Sequence, residues 1–168
     1  AKLIAKEYCL IYLDTGKIYR AIAWLKINNK KLYSYNFIKK KIKKIKIDDL
    51  NDKKLLTDEV ATLSSIIAKD KNIRRIVKKY QKNYAYVPPR KYSGSVLDGR
   101  DITSVIMKDA MFKFYITASV EVRAKRRYLE YIKLNKRISY NKVLKSIRNR
   151  DYLDKNRKYS PLKKTKDS

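Results

Sequence analysis

Short apolar runs alternate with stretches of helical spacing along this chain. Residues 1–8 set Leu3 and Ile4 between Lys2 and Lys6, the pattern of the closing turns of an amphipathic helix. Cys9 to Leu13 is an apolar run that stops at Asp14-Thr15-Gly16, which predicts a buried strand ending in a polar turn. From Lys17 to Asn28, Ile18, Ala21, Ile22 and Leu25 fall at helical spacing, so a helix follows the turn. In the lysine-rich stretch 29–59, Ile38, Ile42 and Ile45 form one helical stripe, and the lysines between them read as a solvated face. One further helical region is predicted from Val60 to Tyr84. It stops ahead of Pro88-Pro89, which cannot continue a helix, and Pro88 to Ser93 is a loop.

The second half repeats the scheme. Ser95 to Leu97 leads into Asp98-Gly99-Arg100-Asp101, another apolar approach to a charged turn, and Phe112 to Ile116 is a strand candidate. A basic helix is predicted over Val120 to Leu134, a loop over Asn135 to Ile138, and a helix from about Ser139 to Asp151. Strands alternating with helices predict an α/β architecture on a parallel sheet. In such sheets ligands sit beyond the carboxyl ends of the strands, where the turns 14–20 and 98–101 fall.

Composition narrows the chemistry. The chain has 168 residues, one cysteine and no histidine, which removes internal disulfides, His-based or Cys-cluster metal sites and histidine general bases. Any catalysis rests on carboxylates, arginines, lysines and hydroxyls. No apolar run reaches the eighteen or so residues that a membrane-spanning helix needs, and no apolar leader is present, so the chain reads as cytoplasmic. A net charge of +28 suits a polyanionic partner, but most of the excess is lysine spread along the chain with abundant Ile, Asn and Tyr, the set that AT-rich codons encode. A basic single-stranded nucleic-acid-binding protein, with fifteen tyrosines as stacking platforms, is the alternative this composition keeps open.

Three segments place arginine beside carboxylate. The first is Asp14-Thr15-Gly16-Lys17-Ile18-Tyr19-Arg20, a hydroxyl and helix-start amides at a strand end with an arginine beyond them. The second is Asp98 to Asp101. The third is Arg150-Asp151-Tyr152-Leu153-Asp154-Lys155-Asn156-Arg157. Together they suit a phosphorylated sugar-base better than a long polymer.

The segments YLDTGKIYRAIAW (12–24), VLDGRDITSVI (96–106), KFYITASVEVRAKRRYLE (113–130) and IRNRDYLDKNRKYSPL (147–162) resemble bacterial cytidylate kinases in content, order and spacing. The resemblance implies a P-loop kinase-type core, with a parallel sheet, in a single domain. Residues 1–28 and 93–118 would be core, 29–92 the insertion that binds the nucleoside monophosphate, 119–157 the lid and its flanking helices, and 158–168 an incomplete end of the core. It also implies ATP-dependent phosphorylation of CMP or dCMP, with Mg2+, by a monomer without a specific nucleic-acid partner. Position by position, Thr15 and Arg20 would hold the CMP phosphate from one side, with Arg100 and Arg157 on the other. Ser65, Arg74 and Asp101 would read cytosine, Asp154 would bond the sugar hydroxyls, and Arg150 would lie near the transferred phosphoryl group. Arg123, Arg126 and Arg127 would belong to the lid over ATP. Asp98 takes no firm role, and Leu153 stands where relatives tend to carry another arginine. A nucleoside monophosphate kinase of different base preference is a further reading.

One departure stands out. A phosphate loop of the form G-x-x-x-x-G-K-[ST] is absent. The sole match in glycine spacing, Gly94 to Gly99, continues into Arg100 and Asp101 and would face phosphate with the like charge of Asp98. Ala1 to Tyr8 resembles the helix that follows the loop in this family, so the first strand and loop are expected to be missing. The expected consequences are an exposed sheet edge, marginal stability and negligible kinase activity for these residues alone.

Overall fold

The computed structural model describes residues 1–168. Two strands form its sheet: β1, Leu10–Asp14, and β2, Gly94–Asp98. They pair in parallel from Leu10↔Gly94 to Asp14↔Asp98, which sets two aspartates level at the carboxyl ends. The backbone groups of the second aspartate are tied down as well. Thr15 is 4% exposed and its Oγ1 donates to the Asp98 carbonyl at 2.8 Å. A Cβ on Gly99 would lie 2.2 Å from that same Oγ1 and 3.0 Å from Ile102 Cδ1, so only glycine fits there.

Seven α-helices surround or follow the sheet: α1 Lys2–Glu7, α2 Thr15–Asn28, α3 Tyr35–Ile42, α4 Asp58–Ile67, α5 Lys71–Tyr86, α6 Val120–Lys133 and α7 Tyr140–Asn156. The polar residues that precede them explain where they start. Asp14, Ser34, Thr57, Asp70, Ser119 and Ser139 each accept a backbone N–H from the first turn of α2, α3, α4, α5, α6 and α7. Two short 3₁₀ turns, Asp48–Asn51 and Lys53–Leu56, bridge α3 and α4, and a π-helical turn spans Ile102–Ile106.

The chain divides into two compact units, residues 1–108 and 109–168. In the first, Leu13, Ile18 and Ile22 are buried with Ile38 and Ile42 of α3, Val60 and Ile67 of α4, and Ile73 and Val77 of α5. The lysine-rich stretch is therefore anchored by its isoleucines, while Lys39, Lys40 and Lys41 are exposed. In the second unit α6 packs against α7, burying Ala124 and Val143. The division falls inside the stretch 93–118 expected as one core piece, and the expected insertion 29–92 shares its apolar cluster with β1 and α2. No helix is long and apolar enough to cross a membrane.

Four expectations are corrected. The helical region 60–84 is two helices, because Ala68-Lys69-Asp70 breaks it and the Asp70 carboxylate restarts it by accepting from Asn72 and Ile73. The helix carrying Ile38 and Ile42 ends at Ile42, so Ile45 reaches the core from the turn beyond it. The last helix runs to Asn156, not Asp151. Phe112 to Ile116 is not a strand: the sheet has two members, no ladder reaches this segment, and Phe112, Phe114 and Ile116 are 75%, 69% and 88% exposed.

Asp70 lies at the heart of the α4–α5 junction. Burial pushes its carboxyl up, but the bonds it accepts from Ile73, Tyr35 and Asn72 outweigh that and hold it below the ordinary value of 3.8. A depressed carboxylate contributes stability above its unfolded pKa and loses it as the pH falls through the folded value. Chemical melts between pH 6 and pH 3 should therefore show Asp70→Asn converging on the parent below about pH 3.8. Ile38→Ala should lower unfolding free energy by about 2–5 kcal/mol, against less than about 0.5 for Lys40→Ala, by urea denaturation. Gly99→Ala should cost about 1–3 kcal/mol in the same measurement, through its collision with the Thr15 hydroxyl.

Candidate functional site

The first unit gathers charged groups around the carboxyl ends of β1 and β2. Arg74, from the first turns of α5, forms a buried ion pair with Asp101: Nη2 lies 2.5 Å from Oδ2, and the side chains are 10% and 9% exposed. Arg74 also donates from Nη1 to the Ala68 carbonyl at 3.2 Å, where a cation complements the end of α4, and its guanidinium sits 5.8 Å from the Tyr19 ring centroid. Tyr19 is on α2, so this one arginine binds α2, α4, α5 and the turn after β2.

Arg20 is one residue further along α2. Its Nη1 donates to the Leu55 carbonyl at 3.0 Å, joining α2 to the 3₁₀ turn at 53–56. Arg100 is half-buried between Gly99 and the buried Asp101. Tyr12 reaches the Asp98 carboxylate at 3.4 Å, and burial, reinforced by the charges of Asp14 and Asp98, raises its phenol pKa. The strand ends thus carry two carboxylates on one side and arginines beyond them.

Two sequence-predicted residues have different surroundings from those expected of a ligand-binding group. Thr15 directs its only hydroxyl hydrogen at the Asp98 carbonyl, which leaves lone pairs but no donor for an anion. Ser65 is exposed in the last turn of α4, and its hydroxyl donates to the Ala61 carbonyl at 3.2 Å, one turn back. It lies one turn before the carbonyl that Arg74 caps.

The second unit brings Arg150, Asp154 and Arg157 together at the end of α7. Asp154 Oδ2 lies 3.9 Å from Arg150 Nε, and Asp154 Oδ1 accepts from Arg157 Nη1 at 3.4 Å. Arg157 caps the helix and also donates to the Ser160 carbonyl, while the Asp154 carbonyl accepts from Leu162 N at 2.8 Å, folding the chain end back. Arg150 is the most exposed of the three, at 58% of its side chain.

The three lid candidates differ from one another. Arg123 forms a two-pronged pair with Asp151, Nη1 to Oδ1 at 2.8 Å and Nη2 to Oδ2 at 2.5 Å, and its Nε donates to the Ala118 carbonyl at 3.0 Å. The Asp151 bonds raise the Arg123 pKa against the effect of burial. Arg127 pairs with Glu130 at 2.8 Å and lies over the Tyr131 ring at 4.5 Å. Arg126 is exposed. Asp151 is the residue that sequence reasoning left without a role: nothing in the spacing joins it to Arg123, which is distant in the chain and meets it only because α6 and α7 pack together.

A family model described as cytidylate kinase matches residues 1–168. Similar proteins include a cytidylate kinase of Clostridium tetani, 39% identical over all of this chain and 77% of that protein. Another, from Fusobacterium nucleatum, is 39% identical over 98% of this chain and 78% of its own length. A third, from Bartonella tribocorum, is 40% identical over 97% and 74%. With a parallel strand pair whose ends carry arginine and carboxylate, and with relatives of this similarity matched along its whole length, the chain belongs to the cytidylate kinase family.

Proposed function

We propose that residues 1–168 recognise the acceptor nucleotide, CMP or dCMP, of a cytoplasmic cytidylate kinase. The observation that carries this is the buried Arg74–Asp101 pair beside the strand ends. Cytosine presents an N4 amine donor next to the N3 and O2 acceptors. A carboxylate accepts from the amine, and a guanidinium donates to the ring acceptors. Uracil offers a carbonyl and an N–H in those places, so both side chains would be mispaired in a buried setting, which is costly. The Tyr19 ring lies beside the Arg74 guanidinium, its centroid 5.8 Å away.

The remaining roles are those that the resemblance to cytidylate kinases implies. Arg20 and Arg100 hold the CMP phosphate in the first unit, with Thr15 shaping the turn from which they project. Within the second unit Arg157 takes phosphate, Asp154 accepts from the sugar hydroxyls, and Arg150, the most exposed of the three, neutralises charge on the transferred phosphoryl group. Ser65 joins the base site by turning its hydroxyl from Ala61 to the ligand. Arg126 and Arg127 are the lid arginines over ATP, and Arg123 braces them.

The donor side is another matter. When bound, ATP with Mg2+ supplies the phosphoryl group. Glycine occurs only at positions 16, 94 and 99, and the single matching spacing, 94–99, is taken up by β2 and its end, with the strand residues 94–98 committed to the ladder with β1. These glycines do not form a phosphate loop, so apart from the lid arginines and Arg150 the chemistry assigned to these residues is recognition of the acceptor.

Calorimetric titration tests the reading. CMP should bind at least about 10-fold more tightly than UMP, and Asp101→Asn, which offers an amine to the uracil carbonyl, should narrow that ratio by about 10-fold. Arg20→Ala, Arg100→Ala and Arg157→Ala should each weaken CMP by about 10-fold or more, as expected for a lost charge-assisted bond to phosphate. A coupled assay on the same chain should show no CMP phosphorylation above background. Equal affinity for the two nucleotides, or CMP binding indifferent to Arg157→Ala, overturns the assignment.

A further inference from the structure

The lysines of α3 and the turn beyond it are not accounted for by nucleotide recognition. Between Asp14 and Asp48 the chain has eleven basic residues and no acidic one. Six of them, Lys39, Lys40, Lys41, Lys43, Lys44 and Lys46, occur within eight positions, and all six are exposed. Some basic groups elsewhere are matched by carboxylates, such as Arg123 with Asp151, Arg127 with Glu130, Arg148 with Glu121, and Lys54 with Asp52. None of the six has an ion-pair partner, and the only side-chain contact among them is Lys41 over the Phe37 ring at 5.5 Å.

Three lysines in the last turn complement the helix dipole. That accounts for Lys39, Lys40 and Lys41 but not for the three that follow, whose mutual repulsion a mixed surface would avoid. A dense single-sign surface on a rigid base attracts polyanions. The base here is rigid, since Ile38 and Ile42 are 0% and 3% exposed in the core beneath the lysines.

We propose that this face binds the phosphate backbone of double-stranded nucleic acid without regard to sequence, a property separate from CMP recognition. The partner follows from what accompanies the charge. A membrane-binding helix inserts an apolar face, and the apolar face of α3 is already buried in the protein. A single-strand surface needs aromatic rings to stack bases. Here Phe37 is half-buried beneath Lys41, and Tyr35 is held by its hydroxyl bond to Asp70 at 2.9 Å. What remains are compact ammonium charges, which contact phosphate as points and carry no base readout. Lys39, Lys40 and Lys41 lie in the last turn of α3 and Lys43, Lys44 and Lys46 within the four residues that follow it, a cluster compact enough to meet a few phosphates of one strand.

The test is fluorescence anisotropy with a labelled DNA duplex of about two helical turns, repeated over a salt series. The variant Lys40→Gln, Lys41→Gln, Lys43→Gln, Lys44→Gln is compared with a control of equal charge change, Lys125→Gln, Lys133→Gln, Lys142→Gln, Lys145→Gln, whose lysines lie exposed on α6 and α7. Each lost phosphate contact lowers affinity about eightfold near 0.1 M salt. The α3 variant should therefore lose about 50-fold or more and flatten the salt slope by about two, with the control losing less than about fivefold. Circular dichroism melts matching the parent establish that the α3 variant is folded. Should they fall short, single Lys→Gln changes at 40, 43 and 44 provide the same comparison, with a loss of several-fold expected for each. Equal losses in the two variants, tighter binding to a single strand than to the duplex, or preferential binding to phosphatidylserine vesicles would each overturn the proposal.

Discussion

The parallel pairing of β1 with β2 is the constraint on which the first unit depends. Five residue pairs bring positions 10–14 against 94–98 across an intervening stretch that is mostly helical. Closing so long a loop has an entropic cost that grows only slowly with its length, and it is offset by the apolar cluster that the enclosed helices form with Leu13 and α2. The last step of the pairing is the Thr15 hydroxyl on the Asp98 carbonyl, with Gly99 shaped to let it approach. That clasp fixes where α2 begins and where the turn 98–101 leaves the sheet. Arg20, Arg100 and Asp101 take their positions from those two points.

Buried charge is the second theme, and it is handled in the same way in both units. Arg74 with Asp101, and Arg123 with Asp151, are close pairs in which one side chain lies on a helix and the other comes from a distant part of the chain. Removing one member of such a pair strands its partner, at a cost of about 3–5 kcal/mol where burial is deep, whereas a matched apolar replacement of both is often tolerated. In the Arg74–Asp101 pair a donor and an acceptor lie adjacent and almost dry, with the end of α4 and the Tyr19 ring beside the guanidinium. The Arg123–Asp151 pair is less than a third exposed, and Arg123 is bonded through all three of its nitrogens, the features of a brace between α6 and α7.

Much of the architecture was legible in the local pattern. The strand at 10–14, the helix after it, the approach to Asp98 and the α6–α7 pair all follow from hydrophobic period and polar caps, because each is decided by residues within a few positions of one another. The failures share a cause. Phe112 to Ile116 has the composition of a strand, but a strand exists only if a ladder partner is present, and that is a property of distant backbone. The break at Ala68 to Asp70 was hidden by continuous helical spacing on both sides, although an aspartate three residues before Ile73 is the usual signal of a helix start. Among the site residues, Arg74 and Asp101 were both singled out, and tertiary packing was needed to show them in contact. Thr15 was singled out as a phosphate ligand, and packing gave its hydroxyl another acceptor.

The sequence by itself determined which residues are chemically able to act, and to which family the chain is similar: arginines, carboxylates and hydroxyls at the ends of apolar runs, with no histidine, few glycines and no phosphate loop. Those are matters of side-chain identity and short spacing, which do not depend on how the chain closes. Tertiary structure alone decided which of those groups are already engaged with one another. Whether a guanidinium finds a carboxylate, a helix end or solvent is settled by packing between segments far apart in the chain, and no local periodicity encodes it.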